Sequence, residues 1–309
     1  MLSPRTIKKR IRSTRNIKQI TKAIEAVSAV KMRKSEEAAL RGRPYALAAL
    51  EVLRNISSNL ENGFEKISLL LSSPEGKPPC LLVISSDKGL AGSFNINVLR
   101  KAMDFLKENP AAEIIAVGKK GSEFLKRRGV NVIASFSEAG DFVELSETTP
   151  IANLIRENFE KDRWSSVTLL YTHFISALNQ EVISRPILPF NFESLDYIVK
   201  SITPLRGKYA NMPVAIGSSP ILPSAYVFEP SPQQALSKLL PTLLEVEVYH
   251  AVLEANASEH SSRMLAMKNA SENAGELIDS LTLEYNKARQ AQITKELTEI
   301  TAGAGALEN

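Results

Sequence analysis

Helix-breaking residues are confined to the middle of this chain. Thirteen of its 16 prolines lie between Pro74 and Pro232, and 10 of its 14 glycines lie between Gly63 and Gly217. The two ends are therefore free to form long helices, while the middle carries the turns of something more varied. A long helix is marginal alone in water, so each end needs a surface to pack against. The most economical surface is the other end, antiparallel because the chain must return.

The pattern of apolar residues supports paired ends. From about Thr6 to Leu60 the residues Ile17, Ile20, Ile24 and Val27 step by 3, 4 and 3, with Ile7 and Ile11 ahead of them. This spacing predicts that they form the a/d seam of a coiled coil. Ser3 followed by Pro4 reads as an N-cap and first helical residue, and Gly42 with Pro44 is expected to bend or interrupt the helix. At 1.5 Å per residue this arm would be about 80 Å long. The second arm is predicted from Ser231-Pro232 to about Thr301, roughly 100 Å. There Ile278, Leu281, Tyr285 and Ala288 repeat the stepping, and Ala251, Ala255, Ala266, Ala270, Ala274 and Ala291 offer small side chains for close approach.

Between the arms, short apolar runs at Cys80 to Ser85, Ile114 to Val117, Val130 to Ala134 and Val167 to Thr172 alternate with helical stretches such as Ile96 to Glu108 and Gly121 to Arg128. That alternation predicts a small βαβ domain with a largely parallel sheet, with a solvent loop over Ser201 to Ser219. The expected division is 1–62 for the first arm, 63–230 for the α/β domain and 231–309 for the second arm. The fold class is a long antiparallel coiled coil of N- and C-terminal helices plus a central α/β domain.

Composition narrows the function classes. The net charge of +4 is modest but lopsided, because Arg5, Lys8, Lys9, Arg10, Arg12, Arg15, Lys18 and Lys22 all precede the first acidic residue, Glu25. An acidic partner or a membrane surface suits that end. A removable targeting presequence has similar composition, but the helical patterning runs unbroken past Lys34, where a presequence would stop. One cysteine, Cys80, permits neither an internal disulfide nor a cysteine-based zinc site. No apolar run reaches 18 residues, so membrane contact would go through partners.

Few constellations carry chemistry. The turn from Ser86 to Asn95, containing Gly89 and Gly92, and the run Val117-Gly118-Lys119-Lys120-Gly121 each place glycines before a helix. Neither matches the dinucleotide fingerprint or the Lys-Ser/Thr ending of a P-loop, so both read as structural turns before nucleotide sites. His173, His250 and His260 sit in separate segments without ligand spacing, and Asp87 with Lys88 lacks a second carboxylate or nucleophile. No catalytic set, cofactor site or metal site is expected. The basic first helix lacks interleaved aromatic residues, which argues against a nucleic-acid binder. A nucleotide-binding α/β protein with coiled-coil arms is the alternative reading.

The last stretch, Tyr285-Asn286-Lys287-Ala288-Arg289-Gln290, Ile293 to Ile300 and Gly303-Ala304-Gly305-Ala306, closely resembles the C-terminal signature of the gamma subunit of rotary, proton-translocating F-type ATP synthases. Similar agreement covers Ile17 to Ala23, Lys31-Met32-Arg33-Lys34, Ser86 to Gly92 and Phe228 to Pro232. The resemblance implies a Rossmann-like central domain and a non-catalytic central-stalk rotor, present as a single copy in a hetero-oligomer. Its partners would be the alpha and beta subunits of the hexamer, the epsilon subunit and the membrane c-ring. Its place would be peripheral, on the cytoplasmic face of the bacterial inner membrane. Arg263, Arg289, Gln290, Thr294 and Glu296 would meet the hexamer, as would Lys31, Arg33 and Lys34 on the basic first helix. Some relatives carry a redox insert with two cysteines, which Cys80 alone cannot reproduce. No role is assigned to residues 63–79 or to the last few residues.

Overall fold

The computed structural model describes residues 3–58, 68–74, 76–137, 143–190 and 231–307. In chain order these form α1 (Pro4–Ser58), a 3-10 turn (Leu69–Leu71), β1 (Cys80–Ile84), α2 (Phe94–Glu108), β2 (Glu113–Val117), α3 (Lys119–Arg127), β3 (Val132–Phe136), α4 (Leu145–Glu160), β4 (Val167–Ser176), β5 (Asn179–Leu188) and α5 (Pro232–Leu307). The loop expected over Ser201 to Ser219 lies outside the described residues, as do 63–67 and 75 of the stretch 63–79. The chain divides into two compact units, one of residues 1–28 with 263–309 and one of residues 29–262.

The larger unit holds a five-stranded sheet in the order β3-β2-β1-β4-β5. The first four strands are parallel and β5 runs antiparallel to β4. All five residues of β1 are buried, which a strand covered on both faces requires. Alternation along β1 divides the core in two. Cys80, Leu82 and Ile84 point to one face, with Ile155 and Phe159 of α4 and with Leu240, Leu244 and Val248 of α5. Leu81 and Val83 point to the other, with Val98 and Leu99 of α2 and Leu125 of α3. The predicted α/β domain is thus present with its four predicted strands. β5 and α4 were not foreseen, and α5 contributes its own first turns to this core.

In the smaller unit α1 and α5 pack together, as the spacing predicts, and the Lys18 side chain reaches across to Gly275, where an added Cβ would meet its Nζ at 2.9 Å. Ser3 caps α1, accepting from Thr6 N at 3.3 Å through its hydroxyl. α1 then runs without interruption through Gly42 and Pro44, against the expected break. A proline costs one backbone hydrogen bond and some steric strain, which a helix of 55 residues absorbs without ending.

Candidate partner-binding surface

On α5 the predicted seam is the real one. Met267, Ser271, Ala274 and Leu281 are buried, with Ile278, Tyr285 and Ala288 half-buried between and beyond them, stepping by 4 and 3. On α1 the predicted seam holds at Ile7 and Ile11 and fails beyond them. Ile17 is 51% exposed, Ile20 59% and Val27 53%, and only Ile24 is half-buried. The inward stripe is one residue over: Ile7, Ile11, Thr14, Thr21 and Ser28, in the same 4 and 3 rhythm with Lys18 and Glu25 filling the gaps. Two stripes on one helix fit a heptad, and the less apolar one faces inward because its small side chains let the helices approach closely. Thr21 tolerates burial because its hydroxyl donates to the carbonyls of Ile17 at 3.1 Å and Lys18 at 3.0 Å.

The displaced residues Ile17, Ile20 and Val27 therefore form an outward apolar strip on α1, and exposed apolar side chains of this kind suit a protein partner. In the larger unit, Arg33 and Lys34 are exposed and Lys31 is half-buried, a basic group that suits a partner with acidic character.

A second surface lies at the end of α5. In an antiparallel pair the sum of facing residue numbers stays near that of 18 and 275, so Pro4 lies level with about residue 289. Beyond that level α1 no longer runs beside α5, and every residue from Ala291 to Thr301 is exposed. Thr294 and Glu296 belong to this exposed stretch, and Arg289 and Gln290, also exposed, come just before it. Thr294 donates to the Gln290 carbonyl at 3.0 Å, and Glu296 accepts from Gln292 at 2.9 Å. Among and beyond them stand Ile293, Leu297 and Ile300, exposed apolar residues at 4 and 3 spacing. The same periodicity that marks the seam would have revealed them. Arg263 differs from its predicted companions: it is 7% exposed and offers a partner little surface.

The glycine-bearing turns serve the fold. Asp87 accepts from the Lys119 amide at 2.8 Å, and the Ser85 hydroxyl donates to the Val117 carbonyl at 2.9 Å and accepts from the Gly121 amide at 2.9 Å. A Cβ at Gly118, which has φ +93°, would sit 2.1 Å from the Ser85 carbonyl oxygen, so only glycine fits this strand-to-helix crossing. The histidines are less scattered than their numbering suggests. His173 Nδ1 lies 2.8 Å from Glu254 Oε2, and His250 Nδ1 lies 3.6 Å from Glu254 Oε1. Among the described residues no group of three or more His, Cys, Asp or Glu is arranged to hold a metal ion. Burial pushes the Cys80 thiol well above its ordinary range, away from the reactive thiolate. No helix among the described residues is long and apolar enough to cross a membrane.

Paired helical arms with an outward apolar strip, joined to an α/β domain whose glycine turns are occupied by its own side chains, define a structural, partner-presenting class of protein. Residues 3–307 match the family described as ATP synthase. The chain is 39% identical to the ATP synthase gamma chain of Roseiflexus castenholzii over 99% of both chains, and 38% identical to that of Pelotomaculum thermopropionicum over 100% of both. Among solved structures it resembles a chain of the Tetrahymena thermophila mitochondrial ATP synthase central stalk and c-ring, with 25% identity, TM-score 0.57, and coverage of 82% of this chain and 99% of that one. It also shares the fold of a chain in the Euglena gracilis mitochondrial assembly of OSCP, F1 and c-ring, with 20% identity, TM-score 0.62, and coverage of 98% and 94%. The chain belongs to the ATP synthase gamma chain family, and as such is a non-catalytic central-stalk rotor subunit.

Proposed function

We propose that the exposed end of α5 is the part of this rotor that works inside the alpha and beta hexamer, while the α/β domain engages the c-ring and epsilon. Proton flow through the ring then turns the chain, and the angle reached decides which beta subunit binds or releases nucleotide. The observation that carries this reading is the run from Ala291 to Thr301, exposed throughout and bearing Ile293, Leu297 and Ile300 in helical register. Apolar side chains give low-friction contact with a surrounding sleeve. Arg289, Gln290, Thr294 and Glu296 add polar contacts that form at some angles and not others. A charge-assisted hydrogen bond contributes about 1.5 to 3 kcal/mol, enough to favour one dwell without holding the shaft there. The basic patch of Lys31, Arg33 and Lys34 faces acidic loops of the same subunits and guides them at a distance. The two gamma chains named above are bacterial, which supports a peripheral position on the cytoplasmic face of the inner membrane, with membrane contact made through partners.

The test is replacement of both Arg289 and Gln290 by Ala. ATP turnover of the assembled complex should fall by about tenfold or more, while nucleotide affinity of isolated beta subunits stays the same. Unchanged turnover would remove these residues from the contact.

A further inference from the structure

Within the larger unit, α5 meets the β4–β5 hairpin through a polar face. Glu247, Glu254 and Ser261 recur every two turns, so they project from one side of the helix. Glu247 Oε1 accepts from Arg185 NH2 at 2.8 Å, Glu254 Oε2 lies 2.8 Å from His173 Nδ1, and the Ser261 hydroxyl donates to the Ala177 carbonyl at 2.5 Å. Between the last two, the Ser258 hydroxyl donates to the Thr172 carbonyl at 3.0 Å. Their partners come from β5, β4, the turn between these strands and β4 again, so the helix is pinned along the length of the hairpin.

Such a seam is a poor way to gain stability. A buried ion pair seldom exceeds what well-packed apolar residues contribute, and Glu247 Oε2 is buried without a hydrogen-bond partner. What a directional seam provides is register. One turn earlier in α5 comes Leu243 and one turn later Ala251, so sliding the helix by a turn would set an apolar side chain against Arg185. Turning it about its axis would part all four contacts at once. The apolar contacts nearby, such as Leu240 and Val248, are not directional and would resist either motion less.

We propose that this seam is the torque-bearing joint of the rotor, at which load on the α/β domain passes into α5, with Arg185, Glu247, His173 and Glu254 as positioning residues. The joint rests on the rotor reading above. β4 is continuous with the sheet through its parallel pairing to β1, from Cys80 opposite Val167 to Val83 opposite Leu170. Force on any strand therefore reaches the hairpin, and from there the helix that continues into the hexamer.

The experiment uses the complete ATP synthase in inverted membrane vesicles, measuring ATP hydrolysis and proton pumping together. Arg185→Met with Glu247→Leu replaces the pair by apolar residues that keep the helix seated. Hydrolysis should stay within about twofold while protons pumped per ATP fall by about threefold or more. Ser258→Ala with Ser261→Ala, which disturbs no charge, should lower the same ratio by a smaller factor. This pair keeps the idea exposed to failure if the first variant does not assemble. A normal ratio in either assembled variant would overturn the joint. Failure of the unaltered chain to enter the complex at all would instead overturn the rotor reading, which makes the two failures distinguishable.

Discussion

From Glu247 to Ser262, α5 buries or half-buries every side chain, acids and histidines included, whereas from Ala291 to Thr301 it exposes every one, isoleucines included. The same helix follows opposite rules because its surroundings differ. Polar groups survive burial where another part of the chain supplies a partner, as Arg185 does for Glu247. Apolar groups remain exposed where the covering surface belongs to another protein. On the reading proposed above, that protein is the surrounding alpha and beta hexamer.

The largest effect is expected where one buried partner is removed. Arg185→Ala leaves the Glu247 carboxylate alone in the interior and should destabilise the chain by about 3 to 5 kcal/mol, read from denaturant unfolding. At the seam of the smaller unit, Ile278→Pro removes a helical hydrogen bond and should cost about 3 kcal/mol, seen as loss of stable assembly. A variant that assembled and turned over normally would contradict the seam. A subtler change concerns pH. Burial raises the Glu247 carboxyl to about 7 despite Arg185. The folded chain then holds this proton more tightly than the unfolded one does, so stability from Glu247 falls as pH rises from about 4.5 to 7 and is level above that. Glu247→Gln should flatten that part of the stability profile. The smallest effect is expected outside: Ile20→Ser, on the outward strip of α1, should change the stability of the isolated chain by about 0.5 kcal/mol or less. A large loss there would mean that the predicted seam was right after all.

What could be read from sequence follows the same division. The α5 seam was legible because Ile278, Leu281 and Tyr285 are both periodic and apolar, so pattern and packing agree. On α1 they conflict. Ile17, Ile20 and Val27 make the stronger stripe on paper, but close approach favours Thr21 and Ser28, and side-chain volume is not visible in a count of apolar residues. β5 was missed because it is an edge strand whose residues Asn179 to Arg185 are largely polar, and α4 because Pro150 falls inside it. The meeting of His173, Glu254 and His250 depends on the packing of α5 against β4, which no local pattern announces. The residues proposed as contacts at the end of α5 were legible only through resemblance, and Arg263, legible by the same route, is buried. The apolar strip beside them, Ile293, Leu297 and Ile300, was open to periodicity alone.

If this chain is the single shaft of a larger assembly, co-purification through a tag on the chain should recover one copy with about three alpha and three beta subunits. Recovery of the chain as a homo-oligomer, with the exposed face of α5 covered by another copy of itself, would contradict it.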